Sequence, residues 1–213
     1  MINVRTFTFN MFQVNSYVIS DETGECIIID PGCYIPAETG KLKNYIEKNE
    51  LKPIMLINTH CHVDHILGNK FVFEEYGKKP AIHKEELVIL TSANEYSKFL
   101  NLPEPGSPEP DIFLEDNQVL NFGNSSLKVI FTPGHTPGHI SLYCEENKFI
   151  ICGDVLFDGS IGRTDLPGGD YLQLIKSIKT RILPLGDDIK VYSGHGEPTT
   201  TGKERKTNQF LIF

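Results

Sequence analysis

Long apolar runs are missing from this 213-residue chain. None approaches the roughly 18 residues that a membrane-spanning helix requires, so no transmembrane segment is expected. Positive charge is short as well. Lysine and arginine number 20 against 28 aspartates and glutamates, a formal net charge of -8. That balance argues against a general nucleic-acid or acidic-membrane binder, since either needs a basic face. Residues 1–9 alternate like a strand and have neither the charged start nor the apolar centre of a signal peptide. Cysteine is odd in number and too sparse for a disulfide framework. The five (Cys26, Cys33, Cys61, Cys144 and Cys152) mostly sit in apolar runs, so reduced, buried thiols and a cytoplasmic setting are expected.

What is present has the composition of an ordinary soluble globular protein, long enough for one large domain or two small ones. Hydrophobic patterning predicts strands at 4–9, 14–19 and 26–30 and a helix at 36–49. A strand over 54–57, a helix at 66–77, a short strand at 80–83 and a helix at about 84–100 follow. The Pro- and Gly-rich stretch 101–110 fits neither helix nor central strand. It reads as a linker or lid between halves of about 1–105 and 111–213, with no literal repeat across it. The second half predicts strands at 112–114, 118–122, 127–131, 140–144 and 148–152, a helix at 170–182 and a strand at 189–192. Strand-rich segments with interspersed helices suggest two sheets packed face to face, with helices outside.

One stretch organises the rest: Thr59-His60-Cys61-His62-Val63-Asp64-His65. Four residues of metal-ligand type fall within six positions, directly after the apolar run Ile54-Met55-Leu56-Ile57. His60 and His62 are two apart, so extended or turning backbone aims both imidazoles one way. Asp64 and His65 are adjacent and are expected to diverge, which suits a second metal beside the first. A lone His-x-His would fit a single structural zinc or no metal at all. Three later strands repeat the pattern of an apolar run, then glycine, then one ligand-type side chain. They end in Gly134-His135, Gly153-Asp154 and Gly194-His195. Glycine permits the sharp turn a crowded site needs, and a ligand on a strand end is held by the sheet beneath it.

In type and order these seven residues resemble the ligand set of the metallo-β-lactamase superfamily. The resemblance covers nearly the whole chain. It implies an α/β fold, the four-layer αββα sandwich, in a single domain over 1–213 with a dinuclear site at one edge of the sheets. It further implies that His60, His62 and His135 bind one metal and that Asp64, His65 and His195 bind a second. Asp154 would bridge the two, and Asp64 and Asp154 would be the catalytic carboxylates. True β-lactamases often carry cysteine at the position of Asp154. The aspartate, with Thr132-Pro133-Gly134-His135-Thr136-Pro137-Gly138-His139 and Gly162-Arg163-Thr164-Asp165-Leu166, is similar to the glyoxalase II (hydroxyacylglutathione hydrolase) branch and its persulfide dioxygenase relatives. Full-length glyoxalase II has a helical C-terminal domain that supplies much of its glutathione site; with 18 residues (196–213) after His195, those contacts are not expected to carry over.

Imidazole suits Zn²⁺, Fe²⁺ or Mn²⁺, and two divalent ions, zinc first among them, are the expected cofactors. A metal-bridging hydroxide would then attack a thioester such as a hydroxyacyl-glutathione, a small-molecule substrate, with the thiol leaving as thiolate. Alternatives on the same residues are a mononuclear-iron persulfide dioxygenase using His60, His62 and Asp154, and a lactonase, phosphodiesterase or other ester hydrolase. A non-enzymatic metal-binding protein is the remaining class.

Other candidates have plainer readings. His139 reads as a buried or hydrogen-bonded partner rather than a ligand. His83 reads as packed or exposed, and Cys61 as inert and turned away from its neighbours. Asp30 fits either a turn-forming Asp-Pro-Gly or a carboxylate that orients a ligand imidazole. Arg163, close to Asp158 and Asp165, reads as an ion-pair partner, and Lys203, Arg205 and Lys206 as a solvated tail. Phe12, Tyr34, Phe157, Ile161 and Leu166 occupy loops that could wall a metal cleft.

Overall fold

The computed structural model describes residues 2–212, which form two compact units. The first runs to residue 113 and takes in 121–126; the second comprises 114–120 and 127 onward. No helix among the described residues is long and apolar enough to cross a membrane.

The first unit opens with the antiparallel strands β1 (Asn3–Phe9), β2 (Val14–Ser20) and β3 (Glu25–Ile29). After helix α1 (Pro36–Lys48) the chain returns as β4 (Lys52–Ile57), parallel to β3. A parallel return needs a crossover, which α1 supplies while burying Leu42 and Ile46 against Val18, Ile28 and Leu56. Helices α2 (Val63–Ile66) and α3 (Asn69–Tyr76) lead to β5 (Pro80–Ile82), and α4 (Leu87–Phe99) to β6 (Ile112–Phe113). The sheet order is β1-β2-β3-β4-β5-β6. Register matters most where β3 and β4 stop. Ile29 pairs with Ile57, so Asp30 leaves the sheet beside Asn58 and Thr59, with Asp30 N donating to Ile57 O at 3.0 Å. The carboxyl ends of neighbouring parallel strands are where open α/β sheets place their ligands.

The helix expected over 66–77 is in fact two. The first begins earlier, at Val63, and so carries Asp64 and His65, and the break falls at Gly68. A Cβ there would lie 2.7 Å from Pro31 O, 2.8 Å from Cys33 Sγ and 2.9 Å from Cys33 O. The Gly68 amide instead donates to Pro31 O at 2.7 Å. Residues 102–110 carry no regular structure, and Ser107 Oγ accepts from Asn69 Nδ2 at 2.8 Å.

In the second unit the sheet order is β14-β13-β10-β9-β8-β7. Its strands are β7 (Val119–Phe122), β8 (Ser125–Phe131), β9 (Ile140–Cys144), β10 (Phe149–Gly153), β13 (Lys190–Ser193) and β14 (Thr199–Thr200). The tip of the β7–β8 hairpin counts with the first unit. A small hairpin, β11 (Leu156–Phe157) and β12 (Ser160–Ile161), follows β10. Helix α5 (Tyr171–Ser177), capped by Asp170 accepting from Gln173 N at 2.9 Å, runs into a wider π turn, Ile178–Ile182. Leu174, Ile178 and Ile182 pack on Ile130, Ile150 and Val191. β10 and β13 are parallel and end together: Gly153 pairs with Ser193, and Gly194 N donates to Gly153 O at 2.8 Å. Asp154 and His195 therefore leave the sheet side by side.

The expected tail after residue 200 is a helix, α6 (Thr201–Thr207), with Thr200 capping it through Lys203 N. Buried Glu204 ties this helix down by accepting from Gly159 N at 2.9 Å, Thr199 Oγ1 at 2.6 Å and Asn208 Nδ2 at 2.8 Å.

Candidate metal centre

In the first unit the donors follow β4. His60 and His65 are fully buried, with ring centroids 4.1 Å apart, and His60 and His62 stand edge to face at 4.9 Å. Asp30 underlies this group. Its Oδ1 accepts from Thr59 N at 2.7 Å, and its Oδ2 accepts from Thr59 Oγ1 at 2.6 Å and from His65 Nδ1 at 3.2 Å. Since the Thr59 hydroxyl donates to Asp30, it accepts from His60 Nδ1 at 3.1 Å. One carboxylate thus sets both rings with the proton on Nδ1, so that Nε2 carries the lone pair. Asp30 lies in the left-handed region, φ 47, which aspartate tolerates better than most residues. Turn former and orienting carboxylate are both its role.

Asp64 and His65 do not diverge as expected. On the helical backbone at the start of α2 the two adjacent side chains lie on neighbouring sides, with Asp64 Oδ2 3.7 Å from His65 Nε2. Asn10 Nδ2 holds the backbone here, donating to Asp64 O at 2.9 Å and Gly32 O at 3.0 Å.

In the second unit His135 sits in the 132–139 loop, whose neck is closed by Thr132 N donating to His139 O at 2.9 Å. Gly134 enters that loop at φ 133, packed so tightly on Leu174 that any Cβ would collide with its backbone. His135 Nδ1 donates to Arg163 O at 2.7 Å, again assigning the lone pair to Nε2. Asp154 Oδ2 lies 3.6 Å from His135 Nε2 and 3.5 Å from His195 Nε2.

These nitrogen–oxygen separations, 3.5–3.7 Å, exceed a charge-assisted hydrogen bond. Two ligands at ~2.1 Å from a tetrahedral ion lie ~3.4 Å apart. The donor sets therefore fit metal coordination better than ion pairing. A single oxygen, Asp154 Oδ2, stands at that spacing from two imidazoles at once.

His139 supports the centre without joining it. Its Nε2 accepts from Asp154 N at 3.2 Å, which leaves the ring proton on Nδ1, 3.1 Å from Thr132 Oγ1. His83 is packed and accepts from Glu85 N at 3.3 Å. All five cysteines are buried and unbridged. Burial pushes the Cys26, Cys33 and Cys152 thiols up to about 12, and Cys61 well above its ordinary value, so none is a nucleophile at neutral pH.

Arg163, Lys203 and Arg205 are engaged in ion pairs. Arg163 grips Asp165 through Nε and Nη2, both at 2.7 Å. Lys203 meets Asp158 at 2.5 Å, and Arg205 meets Asp187 at 2.8 Å, so neither belongs to a solvated tail. Phe157 lies beside His195, centroids 6.3 Å apart, while Ile161 is buried in the core of its unit. Glu86, on which the sequence is silent, reaches Cys61 N between two of the donors, at 2.8 Å.

The profile of the metallo-β-lactamase superfamily matches residues 10–195, which include all seven candidate donors. The chain is 38% identical to hydroxyacylglutathione hydrolase GloC of Haemophilus influenzae, over 99% of this chain and 98% of that protein. Likewise it is 38% identical to the probable metallo-hydrolase YqgX of Bacillus subtilis, over 93% of this chain and 92% of that one. Among solved structures, TTHA1623 in a di-iron-bound form superposes with a TM-score of 0.88 at 35% identity, covering 98% of this chain and 100% of that one. The strand order, the grouping of the candidate donors beyond the ends of strands and full-length similarity converge: this chain belongs to the metallo-β-lactamase superfamily, has its fold and is a metallo-hydrolase.

Proposed function

We propose that the two groups of donors act together as one dinuclear centre, in a single domain made of both units, that hydrolyses thioesters. His60, His62 and His135 would hold one ion, Asp64, His65 and His195 the other, and Asp154 would be shared between them, with zinc as the metal. Bound there, the pair supplies a nucleophile from water near neutral pH and polarises the carbonyl under attack.

The chain's own residues do the rest. Asp30, Thr59 and the Arg163 carbonyl fix Nδ1 of His65, His60 and His135, so the lone pairs are aimed before a metal arrives. His139 holds the peptide that carries Asp154. Asp64 and Asp154 are the carboxylates on which turnover depends. A thiol leaving group with a pKa of about 8.5 departs as thiolate without a strong general acid, which an amide nitrogen would need. The buried, protonated cysteines offer no competing nucleophile and suit a reducing, cytoplasmic setting.

The observation that carries the substrate class is the full-length similarity to hydroxyacylglutathione hydrolase. A hydroxyacyl-glutathione such as the lactoyl compound is accordingly the leading substrate. The di-iron form of TTHA1623 supports a second reading of the metal, with iron in both positions.

The experiment is to purify the protein with its native metal, measure metal content, and assay thioesters beside lactones, a β-lactam and persulfides. Two ions per chain with thioester hydrolysis dominant is the expected outcome. One iron per chain with thiol-dependent oxygen uptake, or lactone or lactam cleavage far exceeding thioester cleavage, would overturn it.

A further inference from the structure

The His60-x-His62 pair depends on how the intervening residue is turned, and that residue is held from outside the motif. Glu86 Oε2 accepts from Cys61 N at 2.8 Å, and both residues are fully buried. Glu86 belongs to a different element, the tight turn Lys84–Glu86 that leads into α4. His83 Nδ1 pins that turn by accepting from Glu85 N.

Cys61 is gripped twice. Its amide is on Glu86, and its side chain lies among Val63, Ile66, Leu67, Ile82 and Ala93. With both fixed, the flanking side chains project away from that apolar cluster, which accounts for the two imidazoles standing 4.9 Å apart at 85°. A carboxylate is a stronger acceptor for the amide than a neutral group, and burying one is costly unless it is satisfied.

We propose that Glu86 is a positioning residue: by holding the Cys61 amide it presets the His60–His62 pair for one metal. The inference rests on the reading of those two histidines as ligands.

Its test uses Zn²⁺ alone, titrated against a chromophoric chelator for the full-length protein and its Glu86→Ala, Glu86→Asp and Glu86→Gln variants. Circular dichroism and melting of each metal-free protein are recorded in parallel. Glu86→Gln keeps an acceptor oxygen at the same reach and should bind zinc close to wild type. Glu86→Ala and Glu86→Asp, which lose the acceptor or its reach, should weaken one of two zinc sites by about 10–100-fold, the usual cost of removing a ligand's supporting group. Their metal-free folds should melt near wild type. Unchanged zinc affinity in Glu86→Ala would overturn the proposal. So would a loss of affinity that comes only with collapse of the metal-free fold in all three variants. If His60→Ala and His62→Ala bind two zinc ions normally, the ligand reading itself fails. If those two lose zinc while Glu86→Ala does not, only the role of Glu86 fails.

Discussion

Asp30 Oδ2 lies 3.2 Å from His65 Nδ1, and neither side chain reaches solvent. The same carboxylate reaches His60 through the Thr59 hydroxyl, so one residue at the end of β3 orients two imidazoles at the end of β4. Replacing it with alanine removes both restraints. Asp30→Ala should weaken zinc binding by about 10–100-fold, as loss of an outer hydrogen-bonding partner does at other metal sites. Chelator competition measures it, and wild-type affinity in this variant would contradict the assignment.

Gly68 separates α2 from α3 because the Pro31–Cys33 backbone passes against it. Two of the three atoms a new Cβ would meet are carbonyl oxygens, which move only with the chain. Gly68→Ala should cost about 1–3 kcal/mol, the usual range for overpacking. A clear fall in melting temperature is expected, and an unchanged one would mean that the 31–33 segment gives way freely.

The cysteines give a pH-dependent test. Burial raises the folded-state thiols of Cys26, Cys33 and Cys152 to about 12, from an ordinary value of 9.0. The folded protein therefore keeps protons that the unfolded chain releases. Stability contributed by these groups is full below pH 9 and is lost as pH rises from 9 towards 12. Alkylation at pH 8 should label the native protein slowly and the urea-unfolded protein at every cysteine. The urea midpoint should fall on going to more alkaline pH. Rapid labelling of the native protein would contradict the burial.

Much of this centre is legible in the sequence because most of the candidate donors follow closely on an apolar strand, and the pattern of strand, glycine and ligand is local. His60, His135, Asp154 and His195 all emerge where the patterning places them. What the sequence conceals is set by partners distant along the chain. The helix break at Gly68 depends on Pro31 and Cys33. Glu86 matters through an amide 25 residues away. The convergence of Asp64 on His65 depends on the helical turn beginning at Val63 rather than after the motif. Helix α6 did leave a signal, since Thr200 stands at its start as a helix-capping residue does, with Glu204 in the first turn. Its cluster of basic residues masks it as a tail.

The most direct test of the dinuclear account is metal content and thioester turnover measured together on Asp154→Ala. Asp154 Oδ2 stands at the spacing of two ligands on one ion from both His135 Nε2, at 3.6 Å, and His195 Nε2, at 3.5 Å. The expected result is fewer than two metal ions per chain and a fall in lactoyl-glutathione hydrolysis of about 100-fold or more, the scale for losing a group that organises charge at the reacting centre. An Asp154→Ala protein that holds two metals and hydrolyses the thioester at the wild-type rate would contradict it.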